Sequence, residues 1–151
     1  MNKAFTLVEI LIVVAILGIL AALTLPIFKD YITEAKEAAA KDNLRILRNT
    51  IEIYAAQHNG VPPGYPYDDP SQAPTHLSFM IRLIIIGKYL PEMPKNPFNG
   101  KTLLKMVLDN EDFPTTPAQT DTYGWIYKPR TKTIKLNWLG TDLAGTPYYD
   151  Y

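Results

Sequence analysis

Between Phe5 and Phe28 the chain runs apolar with one acid near its start, Glu9, and from Ile10 to Leu25 it carries no charge. A stretch of about twenty apolar residues forms a helix of about 30 Å, enough to cross a bilayer. An ionisable group inside such a stretch is costly and is read first as functional. Each Leu, Ile, Val or Phe near the centre contributes about −0.3 to −0.6 kcal/mol to insertion, against about 2.5–3.5 kcal/mol for a charge. The run therefore still favours insertion, and Glu9 sits near one end where the penalty is smaller. The chain inserts with a defect, and the defect needs a partner.

Only Met1, Asn2, Lys3 and Ala4 precede the run. Lys3 and the terminal amine keep the N-terminus in the cytoplasm and send the rest of the chain across. A conventional secretory signal is the first rival, with Lys3 as its basic region and Leu20-Ala21-Ala22 as a poor cleavage context. Against it stand an acid within the apolar core and a length beyond the usual 7–15 residues, about twenty here.

The string Ala4-Phe5-Thr6-Leu7-Val8-Glu9-Ile10-Leu11 and its continuation to Ala22 closely resembles the class III signal and helix of type IV pilins and type II secretion pseudopilins. The resemblance implies a leader, residues 1–4, cut between Ala4 and Phe5 by a prepilin peptidase, followed by N-methylation of Phe5. It implies that Glu9 pairs with the terminal amine of a neighbouring subunit in a filament. The family normally places Gly before the cut, where this chain has Ala4. A new amine at Phe5 and the Glu9 carboxylate are complementary charges at one helix end, each expensive if left unpaired in an apolar bundle. The bland alternative is a plain signal anchor whose acid snorkels to the interface.

After the apolar segment, residues 5–28, an amphipathic continuation of the helix is expected over 29–60. Leu44, Leu47, Ile51 and Tyr54 recur at spacings of three and four, and Glu37 to Lys41 is a favourable i,i+4 pair. Asn59 and Gly60 supply the stop. Gly18 and Pro26 are breakers within the apolar part. The resemblance implies local unwinding there in a filament; the plainer reading is a kink.

Residues 61–151 read as a small α/β cap. Thr75 is expected to cap a short helix whose apolar face is Leu77, Met80, Ile81, Ile84 and Ile85, ended by Gly87. Strands are expected at 103–108, 123–127 and 133–138, the last two forming a hairpin. The fold class is α+β: a long N-terminal helix packed on a small antiparallel sheet, pilin-like. Segments 89–100 and 124–129 resemble the C-terminal domain of pseudopilins close to the major pseudopilin of type II secretion. That resemblance implies a calcium-binding loop near the C-terminus, for which Asp142 and Asp150 are the oxygen donors on offer. The alternative is a loop with solvated acids, and no cofactor is required.

Composition excludes more than it selects. Fifteen Lys and Arg balance fifteen Asp and Glu, so nucleic acid is not indicated. Cysteine is absent, leaving stability to packing. His58 and His76 have no metal spacing, and Asp68-Asp69 and Glu111-Asp112 are adjacent carboxylates unsuited to acid/base work across a substrate. Tyr65, Tyr67, Tyr148, Tyr149 and Tyr151 read as loop aromatics, serving subunit contacts or buried against the sheet. No catalytic residues are assigned. The expected partners are further copies in a helical filament, minor pilins or pseudopilins, the prepilin peptidase, and an inner-membrane assembly platform with its ATPase. The expected location is single-pass in the inner membrane, then a periplasmic or extracellular filament, serving protein export or, alternatively, a surface pilus. More remote readings are an anchored binding protein without a filament and a secreted enzyme.

Overall fold

The computed structural model describes residues 6–151, apart from the side chains of residues 23–27. The chain divides into two compact units, Met1–Ala35 and Lys36–Tyr151. Helix α1, Leu7–Gln57, supplies most of the first and opens the second.

In the second unit α1 buries one stripe, formed by Ala40, Leu44, Leu47, Ile51, Tyr54 and Ala55. This is the face expected from the three-four spacing, and each fully buried large side chain contributes about 1.5–3 kcal/mol. The helix stops where Asn59 and Gly60 both turn left-handed, at φ 54° and 83°. The Gly60 N–H then returns to Ala55 O at 2.8 Å, tying off one of the orphan carbonyls of a helix end.

Helix α2, His76–Met80, begins as expected: Thr75 Oγ1 accepts the Ser78 N–H at 3.0 Å. Its apolar face is different from the one expected. Phe79 and Leu83 enter the core with Met80 and Ile84 beside them, while Leu77 and Ile85 stay exposed. Beyond Met80 the helix widens into a π-turn over Ile81–Ile85, in which Ile86 N–H reaches Ile81 O, five residues back, at 2.9 Å. One wide turn shifts the period of everything after it. Gly87 follows because a Cβ there would lie 1.9 Å from Arg82 O.

Three short strands make the sheet: β1 Leu104–Met106, β2 Trp125–Lys128 and β3 Thr133–Leu136, in spatial order β1-β2-β3. Pair β2–β3 is antiparallel, with Trp125 opposite Leu136 and Lys128 opposite Thr133. Pair β1–β2 is parallel, with Leu104 opposite Trp125 and Met106 opposite Tyr127. The sheet is therefore mixed, a correction to the antiparallel expectation. A parallel pair needs a crossover of a dozen or more residues, and segment 107–124 provides it without a helix. Two asparagines hold that segment. Asn137, fully buried, accepts from Ala118 N–H at 3.0 Å and donates to Ala118 O and Tyr123 O at 2.9 and 2.8 Å. Asn96, also fully buried, donates to Gly124 O at 2.9 Å.

Alternation along β2 distributes the core. Trp125 and Tyr127 join the α1 stripe, Phe79 and Leu83, whereas Ile126 faces the other way onto Val107, Tyr149 and Phe113. Both faces of β2 are buried, which suits a central strand of unbroken apolar character. Trp125 Nε1 donates to Pro94 O at 2.9 Å, giving its one polar atom a partner.

Candidate functional site

Glu9 lies in the first turn of α1, and the start of that helix is a reciprocal cap. The Thr6 N–H and the Thr6 hydroxyl both donate to Glu9 Oε2 at 2.8 Å, while Glu9 N–H donates to Thr6 Oγ1 at 3.3 Å. This is the Thr-x-x-Glu capping box, which satisfies two orphan donors at once. It also places a carboxylate at the positive end of the helix dipole. The spacing Thr6-Leu7-Val8-Glu9 carries this cap in the sequence, beside the membrane and pairing readings of the acid.

Beyond the cap every described apolar side chain of the first unit is exposed, including Leu7, Val8, Leu11, Val14, Leu17 and Ile19. An apolar surface of that extent on one helix marks a binding face. Among the described residues no helix is long and apolar enough to cross a membrane. The apolar segment expected at 5–28 includes Phe5 and the side chains of 23–27, which lie outside the described residues. The leader, the cut after Ala4 and the methylation of Phe5 lie outside them too, as does the side chain of Pro26. The backbone is helical through Gly18 and on to Gln57. A Cβ added at Gly18 meets nothing within 4 Å, so nothing described in this chain requires the glycine there.

The C-terminal acids are drawn into separate pairs. Asp142 Oδ1 accepts from Ala144 N–H at 3.0 Å and Thr146 N–H at 2.8 Å, and Oδ2 accepts from the Tyr151 hydroxyl at 2.9 Å. Lys41 Nζ stands 3.5 Å from the same oxygen and 4.3 Å from the centre of the Tyr151 ring. Asp150 instead pairs with Lys135 Nζ at 3.3 Å. Among the described residues no three His, Asp or Glu side chains converge where they could hold a metal ion. Asp142 organises a turn, closed by the Thr141–Pro147 bridge and by Gly145 at φ 86°.

Burial pushes the Asp142 pKa up, but the Thr146, Tyr151 and Ala144 donors and Lys41 together hold it below the usual carboxylate range. A depressed folded pKa contributes stability that is present above the unfolded value, about 3.9, and lost as pH falls through the folded one. Acid titration of melting temperature is therefore expected to show a decline below about pH 4 that is shallower in Asp142→Asn. An unchanged acid limb would remove Asp142 from this role.

The tyrosines divide. Tyr148, buried, donates its hydroxyl to Glu37 Oε1 at 3.0 Å, and burial and then that carboxylate push its pKa up to about 12. Tyr149 is buried with its hydroxyl on Pro114 O at 2.7 Å, and Tyr65, also buried, donates to Asp109 at 2.8 Å. Of the five loop tyrosines Tyr67 alone is left largely in solvent. His58 stacks on Tyr54 at 3.8 Å between ring centres. His76, half-buried at the start of α2, accepts from Leu104 N–H at 3.4 Å, and burial lowers its pKa.

Residues 1–25 match the family model of the prokaryotic N-terminal methylation motif. The chain is 30% identical over 112 residues to the type IV major pilin protein PilE1 of Neisseria gonorrhoeae, spanning 74% of this chain and 63% of that one. It is 39% identical over 68 residues to the fimbrial protein EcpB of Eikenella corrodens, spanning 45% and 42%. Over 62 residues it is 39% identical to the type IV major alpha-pilin of Moraxella bovis, spanning 41% and 38%. The chain thus spans less than two thirds of the length of each of these relatives. No solved structure matches. The chain thus carries the prokaryotic N-terminal methylation motif at its start and is similar to type IV major pilins over as much as 74% of its length.

Proposed function

We propose that the chain is a structural subunit of a pilus-like filament, polymerising through α1. The carrying observation is the apolar side of residues 7–22, exposed throughout and headed by a capped carboxylate. Copies of one helix packed together bury that surface against one another, so leaving the bilayer need not expose it to water. Before assembly the segment holds the subunit in the inner membrane with its N-terminus inside. The leader is removed after Ala4, Phe5 becomes the methylated terminus, and its amine meets Glu9 of a neighbour. Because Phe5 and Glu9 are close in sequence, that pairing sets the axial register.

A surface type IV pilus is the first reading of the filament, since the relatives above are named as pilins and fimbrial proteins. A type II secretion pseudopilin is the second, supported by segments 89–100 and 124–129. Mass spectrometry of the N-terminus of cell-derived protein is expected to find a methylated Phe5. A start at Met1 or near Leu23 would sink the filament reading. Deletion separates the two filaments: loss of adhesion, motility or DNA uptake fits the surface pilus, and loss of protein export fits the pseudopilin.

A further inference from the structure

Asn-Gly occurs twice in the chain, at Asn59-Gly60 and Asn99-Gly100; the other asparagines precede Pro97 or residues with larger side chains. The dipeptide is chemically weak. The amide nitrogen that follows an asparagine can close a five-membered ring on the side-chain carbonyl carbon, and glycine, having no Cβ, leaves that approach unobstructed. Asparagine is among the thermolabile residues. Whether a given pair reacts depends on how the fold holds it.

The two attacking nitrogens are held alike. Gly60 N–H donates to Ala55 O and Gly100 N–H to Asn96 O, both at 2.8 Å. The side chains under attack are not held alike. Asn99, half-buried, donates through Nδ2 to Thr120 O at 2.7 Å and Tyr123 O at 3.1 Å, and its Oδ1 accepts Lys101 N–H at 2.9 Å. Closing a ring there means breaking all of these bonds, two of which reach the crossover segment. Asn59 is exposed, and among the described residues its side chain makes no hydrogen bond. It also stands just past the end of α1, and helix ends open locally without global unfolding.

We infer that Asn59 is a site of spontaneous covalent modification, converted through a succinimide to isoaspartate and aspartate, and that the fold protects the same dipeptide at Asn99. In the first step Gly60 N bonds to Asn59 Cγ and gives up its proton, the Cγ–Nδ2 bond breaks, and Nδ2 leaves as ammonia. Water then opens the ring at either carbonyl. Opening at the main-chain carbonyl gives isoaspartate, whose chain runs on through Cγ with one extra methylene and leaves a carboxylate behind. Both products place a negative charge at the carbonyl end of α1, the sign that a helix C-terminus disfavours. The longer backbone also draws Gly60 N–H away from Ala55 O, so the isoaspartate form loses the stop of α1. None of this depends on the filament reading.

The test is to incubate the full-length chain in detergent micelles at mildly alkaline pH, digest it, and separate asparagine, aspartate and isoaspartate peptides by mass spectrometry. Asn59 is expected to convert about tenfold or more faster than Asn99, the factor that one or two ordinary hydrogen bonds supply. In denaturant the two are expected to convert at similar rates. Gly60 N–H of the isoaspartate form is expected to exchange with solvent faster than in fresh protein. Equal rates in the folded chain, or an intact Asn59 under conditions where the denatured chain converts it, would overturn the site. A difference that persists in denaturant would trace the selectivity to neighbouring sequence and overturn protection by the fold. Unchanged exchange at Gly60 would overturn the loss of the helix stop.

Discussion

Glu9→Ala is expected to cut filament yield about a hundredfold or more at an unchanged level of membrane-associated subunit, measured on sheared filaments by electron microscopy and immunoblot. On the proposed pairing, the substitution leaves each Phe5 amine in the bundle without its carboxylate. Breaking such a buried pair by removing one partner costs about 3–5 kcal/mol, and each 1.4 kcal/mol is about tenfold in an equilibrium. The cap at Thr6 complicates the reading, because Glu9→Ala also removes the capping box. Two further variants separate the roles. Glu9→Gln keeps a side chain that can cap but carries no charge, and it is expected to fail as Glu9→Ala does. Thr6→Ala loses the hydroxyl of the cap, worth about 1 kcal/mol, and is expected to keep filaments. Full assembly by Glu9→Gln together with failure of Thr6→Ala would make the acid a helix cap and remove the pairing.

The cap and the pairing are compatible because Glu9 has two carboxylate oxygens and Thr6 uses one of them, Oε2. In the lone subunit the capping box shares out a charge that would otherwise stand bare at the head of an apolar helix. A neighbour's amine can then approach a carboxylate already oriented by the first turn. Orientation in advance reduces what assembly must spend on ordering the side chain.

What could be read from the residues follows from whether the controlling interaction is local. The α1 stripe, the Thr75 cap and the Asn59-Gly60 stop depend on neighbours within a turn or two, and all three stand as expected. The parallel β1–β2 pair does not, because its crossover is tied down by side chains of Asn96 and Asn137 that reach backbone groups far along the chain. An isolated asparagine in a loop gives no periodic signal of that. The π-turn after α2 is local but silent, since nothing in Ile81-Arg82-Leu83-Ile84-Ile85 distinguishes it from an α-turn. Asp142 and Asp150 are close in number, yet one serves backbone N–H groups and Tyr151 while the other serves Lys135. A carboxylate near the C-terminus can staple a turn as readily as bind a cation, and its sequence neighbours look the same in both cases. The Glu9 site was legible as a charge out of place, and its motif gave the resemblance, with the cap carried by the same Thr6–Glu9 spacing.

Asn137→Ala is expected to destabilise the cap by about 3 kcal/mol or more in reversible chemical denaturation. The fully buried amide serves three backbone groups, Ala118 N–H, Ala118 O and Tyr123 O. Leaving a buried polar group unsatisfied costs about 1–3 kcal/mol, so even partial relaxation leaves a large sum against a total of about 5–15 kcal/mol for a domain. The loss should be regional first. Segment 107–124 is the cover of the outer sheet face, and its attachment passes through Asn137 at one end and Phe113 against Tyr149 at the other. Hydrogen exchange is therefore expected to speed up across 107–123 before β2 and β3 lose protection. Asn137→Asp should be at least as damaging, because it removes both donors and buries a charge. A change below about 1 kcal/mol, the ordinary net value of one hydrogen bond, would show that the crossover is held by apolar packing of Val107, Phe113 and Ile126, and that the parallel register owes nothing to the asparagine.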